Sequence, residues 1–122
     1  MEQTNNQEVK SLVGAAPAEI AEVIAEILDN KKANDVKVIA VGDKTIIADY
    51  FVLANGNTNT HVKALCDEVE YKMNLAGVEP ARIEGRQGNS WRVIDYSSVI
   101  VHVFDRDARE FYKLDKLYTD FE

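Results

Sequence analysis

One cysteine, two histidines and two prolines in 122 residues, and fewer basic side chains than acidic ones, 14 against 21, rule out several kinds of protein at once. Cys66 has no partner in the chain, so a secreted disulfide framework is excluded and a reducing cytoplasm is the expected compartment. His61 and His102 have no Cys, His or Glu at ligand spacing, which excludes a structural zinc site. No apolar run approaches the roughly 18 residues of a membrane span. The start, Met1 to Glu8, is polar, with neither a basic opening nor an apolar signal core, so no export is expected. With a formal charge of −7, the chain lacks the basic surplus by which proteins grip a nucleic-acid backbone unaided, and no direct sequence-specific binding of nucleic acid is expected.

What is present fits one globular domain. Hydrophobic residues make up 46% and charged residues 29% of the chain. A chain of this length buries roughly two-thirds of the surface its unfolded form exposes, enough to fold without disulfide or metal. Residues 1–10 read as a flexible polar N-terminus and 11–122 as a single α/β domain. Residues 1–35 carry seven acids and three bases, residues 36–104 eight and seven, and residues 105–122 six and four. Such a balance favours a basic protein surface as macromolecular partner over bare RNA or DNA.

Pro17 suits the first turn of a helix running to about Asn30, with Ile20, Val23, Ile24, Ile27 and Leu28 on one face and Glu19, Glu22, Glu26 and Asp29 between them. Asn34-Asp35 break the pattern. Val36 to Val41 and Ala48 to Ala54 read as strands separated by a Gly42-Asp43-Lys44 turn, and the near-continuous second run predicts a central strand or one covered on both faces. Thr58 or Thr60 can cap the next helix, marked by Val62, Leu65, Cys66, Val69, Met73 and Ala76 and stopped at Gly77. Pro80 to Glu84, Trp91 to Tyr96 and Val99 to Phe104 follow as strands, then helical spacing from Asp105 to Tyr118. The expected fold class is α/β, an α+β-like mixed sheet of about five strands with flanking helices.

The chemical motifs are weak. Gly56 lies between a strand and a helix, where amides can hold an anion, but no Gly-x-Gly-x-x-Gly or Gly-Lys-Ser/Thr accompanies it. Asp105 and Asp107 could hold Mg²⁺ for nucleotidyl transfer, but the stronger reading is of acids at a helix start that complement its dipole and cap free amides, and no third carboxylate or upstream phosphate loop is found. Cys66 falls on an apolar helix face and reads as a buried small hydrophobe.

The hairpin carries more information. With Ser97-Ser98 as a two-residue turn, Tyr96 opposes Val99, Asp95 opposes Ile100, Val93 opposes His102 and Trp91 opposes Phe104. Alternation then puts Arg92, Ile94, Tyr96, Val99, Val101 and Val103 on a core-like face, and Trp91, Val93, Asp95, Ile100, His102 and Phe104 on the other. That second face suits either the centre of a protein interface or a second buried layer under a helix.

Ala48 to Ala54, Gly56, His61-Val62, Glu84-Gly85, Trp91 to Tyr96, Val101 to Phe104 and Arg109 to Tyr118 occur in an order that resembles the ribosomal silencing factor, or Iojap-like, family over about Pro17 to Tyr118. This resemblance implies a nucleotidyltransferase-like fold without the catalytic residues, no enzymatic activity, no cofactor and no metal. It implies binding to the large ribosomal subunit through its fourteenth protein, which blocks subunit joining and represses translation when nutrients are short, with a related role in subunit maturation in organelles. Trp91 is carried over from the family motif as the anchor. Phe104 beside it, Asp95 and Glu84 as partners for Arg or Lys, and Tyr50 and His102 as supports complete the expected partner-binding set. An apolar sheet face could also support a homodimer off the ribosome. The chain departs from the family pattern at Ser97-Ser98, where Gly-Asp is usual, at Asn57-Thr58-Asn59, where serines are common, and at Tyr118, where Trp is usual. Serine tolerates positive φ poorly compared with glycine.

Overall fold

The computed structural model describes residues 10–85 and 91–105. Asp105, the expected start of the last helix, ends a strand instead, and the rest of that expected helix to Tyr118, the loop residues Arg86 to Asn89 and most of the polar N-terminus lie outside the described residues. The described elements run α1 (Pro17–Asn30), β1 (Asn34–Ala40), β2 (Tyr50–Gly56), α2 (Asn59–Leu75), β3 (Arg82–Glu84), β4 (Trp91–Asp95) and β5 (Val99–Asp105).

Both helices form where local chemistry favours them. Pro17 stands at the first position of α1, where a missing N–H costs nothing, and Glu19 complements the amide end. Ile20, Ala21, Ile24 and Leu28 are buried, and Glu22, Glu26 and Asp29 face solvent. For α2 it is Thr58 that caps, its Oγ1 accepting from the His61 amide at 3.0 Å. The other end closes with a Schellman motif: the Val78 amide donates to the Met73 carbonyl and the Gly77 amide to the Asn74 carbonyl, with Gly77 at φ +87°.

The strands form one five-stranded sheet in the order β1-β2-β5-β4-β3, in which β2 and β5 pair parallel and all other pairs are antiparallel. β2 is an interior strand, flanked by β1 and β5, as its unbroken apolar run predicts, and every residue from Phe51 to Gly56 is buried. β1 begins two residues earlier than its β-branched run, because the chain crosses an irregularity between Asn34 and Lys37 with Asp35 at φ +52°. The larger core lies between the sheet and the two helices and includes Ile24, Leu28, Val52, Leu65, Met73, Ile94, Val101 and Val103.

Gly56 has a packing role. A Cβ there would stand 2.8 Å from the Val62 amide nitrogen, so the end of β2 can meet the first turn of α2 only as glycine. His61 ties this junction to α1: its Nδ1 accepts from the Asn57 amide at 2.9 Å, leaving Nε2 to donate to the Lys31 carbonyl at 3.1 Å.

Candidate docking face

The hairpin register is the expected one. Trp91 pairs with Phe104, Val93 with His102 and Asp95 with Ile100, and Tyr96 and Val99 close it. Pleating therefore sends Ile94, Tyr96, Val99, Val101 and Val103 to the helix side. On the opposite side Ile39, Val41, Ala48, Phe51, Leu53, Ile100 and Phe104 form a second buried cluster, with half-buried Trp91 and Val93 packed against it. Neither α1 nor α2 contributes a residue to this second cluster.

Burial is graded across that face. Phe104 on β5, with Asn55 of β2 on one side and Trp91 of β4 on the other, is fully buried, whereas Trp91 on β4, beyond the last pair with β3, is only half-buried. The Trp91 indole stacks on the Phe104 ring with centroids 5.4 Å apart, and His102 lies 4.8 Å from the Phe51 ring and 5.8 Å from the indole. Trp91 Nε1 donates to His102 Nδ1 at 3.1 Å. Because an indole nitrogen can only donate, His102 must be neutral there, with its proton on Nε2. Burial acts in the same direction and lowers its pKa from 6.5 to about 4. Its Nε2 is buried and makes no hydrogen bond, an arrangement that costs roughly 1–3 kcal/mol.

Beside these rings opens a cleft of about 240 Å³ lined by Ile47, Phe51, Arg82, Glu84, Trp91, Val93, Asp95, Ile100 and His102. Its walls are mostly apolar and its rim is charged. Arg82 bridges two carboxylates, Nε lying 3.3 Å from Glu84 and a terminal nitrogen 3.7 Å from Asp95, which leaves the rim one negative charge in surplus. Gly85, just after β3, has φ +79°, and a Cβ there would run into the Trp91 carbonyl.

Four of the six residues expected to form the site thus line one cleft: Trp91, Asp95, Glu84 and His102. Two are placed differently. Phe104 lies beneath the indole as a floor and has no surface to offer. Tyr50 points to the opposite face, because it alternates with Phe51; it packs against the helix-side core and lines a separate cleft with Pro17, Gly42, Asp43 and Asp49. Ile46 and Ile47, overlooked in the sequence, are both exposed, and Ile47 lines the Trp91 cleft. An apolar pair inside a turn otherwise made of Gly42, Asp43, Lys44 and Thr45 is the signal that could have found them. Among the described residues no group of three His, Cys, Asp or Glu side chains is placed to hold a metal, and no helix is long and apolar enough to cross a membrane.

Residues 15–122 match the family described as "Ribosomal silencing factor during starvation". The chain belongs to the ribosomal silencing factor family. Its relatives include the ribosomal silencing factor of Halalkalibacterium halodurans, 34% identical over 84% of this chain and 87% of the relative. That of Haemophilus influenzae is 34% identical over 82% and 98%. A mouse relative, "Mitochondrial assembly of ribosomal large subunit protein 1", is 30% identical over 80% of this chain and 44% of its own length. The crystal structure of a Chromobacterium violaceum protein superimposes with a TM-score of 0.82 at 29% identity, covering 85% of this chain and 87% of that one. The chain shares that mixed α/β architecture, and the names of its family and relatives place it in translation regulation at the ribosome.

Proposed function

We propose that this silencing factor acts in the cytoplasm by docking, through the Trp91 cleft, on a basic protein of the large ribosomal subunit, the fourteenth in its series, and so keeps the small subunit from joining. It catalyses no reaction in this reading and needs no cofactor. Translation falls because a surface is covered.

The observation that carries the proposal is the graded sheet face: a rigid aromatic floor of Phe51, His102 and Phe104, a half-buried Trp91 above it, and carboxylates of Glu84 and Asp95 on the rim. Interfaces concentrate their energy in such aromatic anchors, and rim charges select a partner of opposite sign. The formal charge of −7 supports the same reading, since ribosomal RNA repels the protein everywhere except where a basic protein receives it. The mouse relative is named for assembly of the large subunit, which supports the same partner. Away from the ribosome the same face offers a second copy of the chain a place to dock.

Sedimentation with separated subunits tests the proposal. The protein is expected to travel with large subunits only, and to inhibit their joining to small subunits in proportion to occupancy. Trp91→Ala is expected to lose about thirty-fold in affinity, the equivalent of about 2 kcal/mol, while remaining folded. Unchanged co-sedimentation of that variant would move the interface elsewhere.

A further inference from the structure

Apolar filling alone does not account for the histidine in the second cluster. His102 is only 7% exposed, sits among Phe51, Trp91 and Phe104, and leaves its Nε2 without a partner. A phenylalanine or leucine would fill such a site with no polar atom to bury. What the imidazole adds is one lone pair. That lone pair, on Nδ1, accepts the Trp91 indole proton from the diagonal position across the β4–β5 pair.

A half-buried indole against three other rings can turn between rotamers, and a directional bond favours the one that satisfies it. Anchoring Nε1 inward also uses the only donor of the indole within the protein, so the edge presented to the cleft is apolar.

We propose that His102 is the positioning residue of the docking face: its Nδ1 holds the Trp91 indole in one orientation, with the donor turned inward and the apolar edge toward the partner. This rests on the docking reading above. A partner recognised this way offers an apolar side chain to the indole and basic groups to Glu84 and Asp95, and needs no acceptor for the tryptophan. Holding the anchor in its bound orientation beforehand reduces what docking must order.

Trp91 is the only tryptophan, so a single indole N–H signal in a ¹⁵N-labelled sample reports on the pair directly. In the unmodified protein that signal is expected to exchange slowly with solvent, and the His102 imidazole to be protonated on Nε2; protonation on Nδ1 would overturn the proposal without any variant. His102→Phe keeps a ring in the patch but removes the acceptor. Its indole is expected to exchange faster and its affinity for large subunits to fall about tenfold with the fold intact. His102→Asn, whose side-chain oxygen can take the place of Nδ1, is expected to slow the exchange again and restore part of the affinity. An indole signal unmoved in His102→Phe overturns the positioning role. So does unchanged affinity of that variant where Trp91→Ala loses binding. If Trp91→Ala itself binds normally, the docking reading has failed, while the spectra still show whether the bond exists.

Discussion

The Asp95 carboxylate accepts the backbone N–H of Ser97 at 2.7 Å, so one side chain both braces the hairpin turn and supplies charge to the rim of the cleft. Two substitutions separate these duties. Asp95→Asn keeps an oxygen for the Ser97 amide and removes the charge: unfolding in denaturant is expected to change by less than about 0.5 kcal/mol, while affinity for large subunits falls and becomes less sensitive to salt. Asp95→Ala removes both, and its stability is expected to fall by about 1 kcal/mol as well.

The residue braced by Asp95 is itself strained. Ser97 has φ +73°, and the Ser98 amide donates to the Tyr96 carbonyl at 2.9 Å, the bond of a three-residue turn. Glycine adopts that backbone region without penalty, whereas serine there costs on the order of 1 kcal/mol. Ser97→Gly is therefore expected to raise the denaturant midpoint by up to about 1 kcal/mol of stability, with docking unchanged.

Burial of neutral His102 makes stability depend on pH. The unfolded chain takes up a proton near 6.5, the folded one only near 4, so the unfolded state holds the extra proton between those values. The contribution is complete above about pH 6.5 and is lost as the pH falls toward 4, a loss of about 3 kcal/mol at most. Denaturant unfolding at a series of pH values should show this decline in the unmodified protein and a shallower one in His102→Phe.

Ile46 and Ile47 are expected to matter for docking and not for folding. Both are exposed, and Ile47 forms part of the cleft wall. Changing both to serine is expected to leave the melting temperature within a degree or two, roughly what exposed substitutions do, and to weaken large-subunit binding by about tenfold. Sedimentation and thermal unfolding on the same sample separate the two effects.

The Tyr96 hydroxyl is buried without a hydrogen bond, and burial, with Glu70 and Glu79 nearby, pushes its pKa upward. Tyr96→Phe removes a polar atom from the helix-side core. Stability is expected to stay level or rise by about 1 kcal/mol in denaturant unfolding.

Local signals carried far in this chain. The hairpin register followed from alternation plus a two-residue connection, and the pairs Trp91 with Phe104 and Val93 with His102 stand as expected. Thr58, Gly77 and Pro17 act at helix ends for reasons visible in a few neighbouring residues. Depth was not legible in the same way. Alternation says that Trp91 and Phe104 share a face, but not that β5 sits between β2 and β4 and so buries the phenylalanine completely. Tyr50 adjoins Phe51 in sequence and stands on the other side of the sheet, which the alternation of a strand dictates and closeness along the chain does not.

The parallel pairing of β2 with β5 has a consequence in time. Tyr50 meets Val99 and Gly56 meets Asp105, so the middle of the sheet closes only after more than forty intervening residues have been made. Contacts of such separation form late in folding and cannot form on a chain still missing β5. An unfinished chain still attached to its own ribosome carries Tyr50 to Gly56 without the strand that bears His102 and Phe104. The proposed docking face therefore does not exist until synthesis has passed Asp105, and in that reading a partly made chain cannot silence the ribosome that is making it.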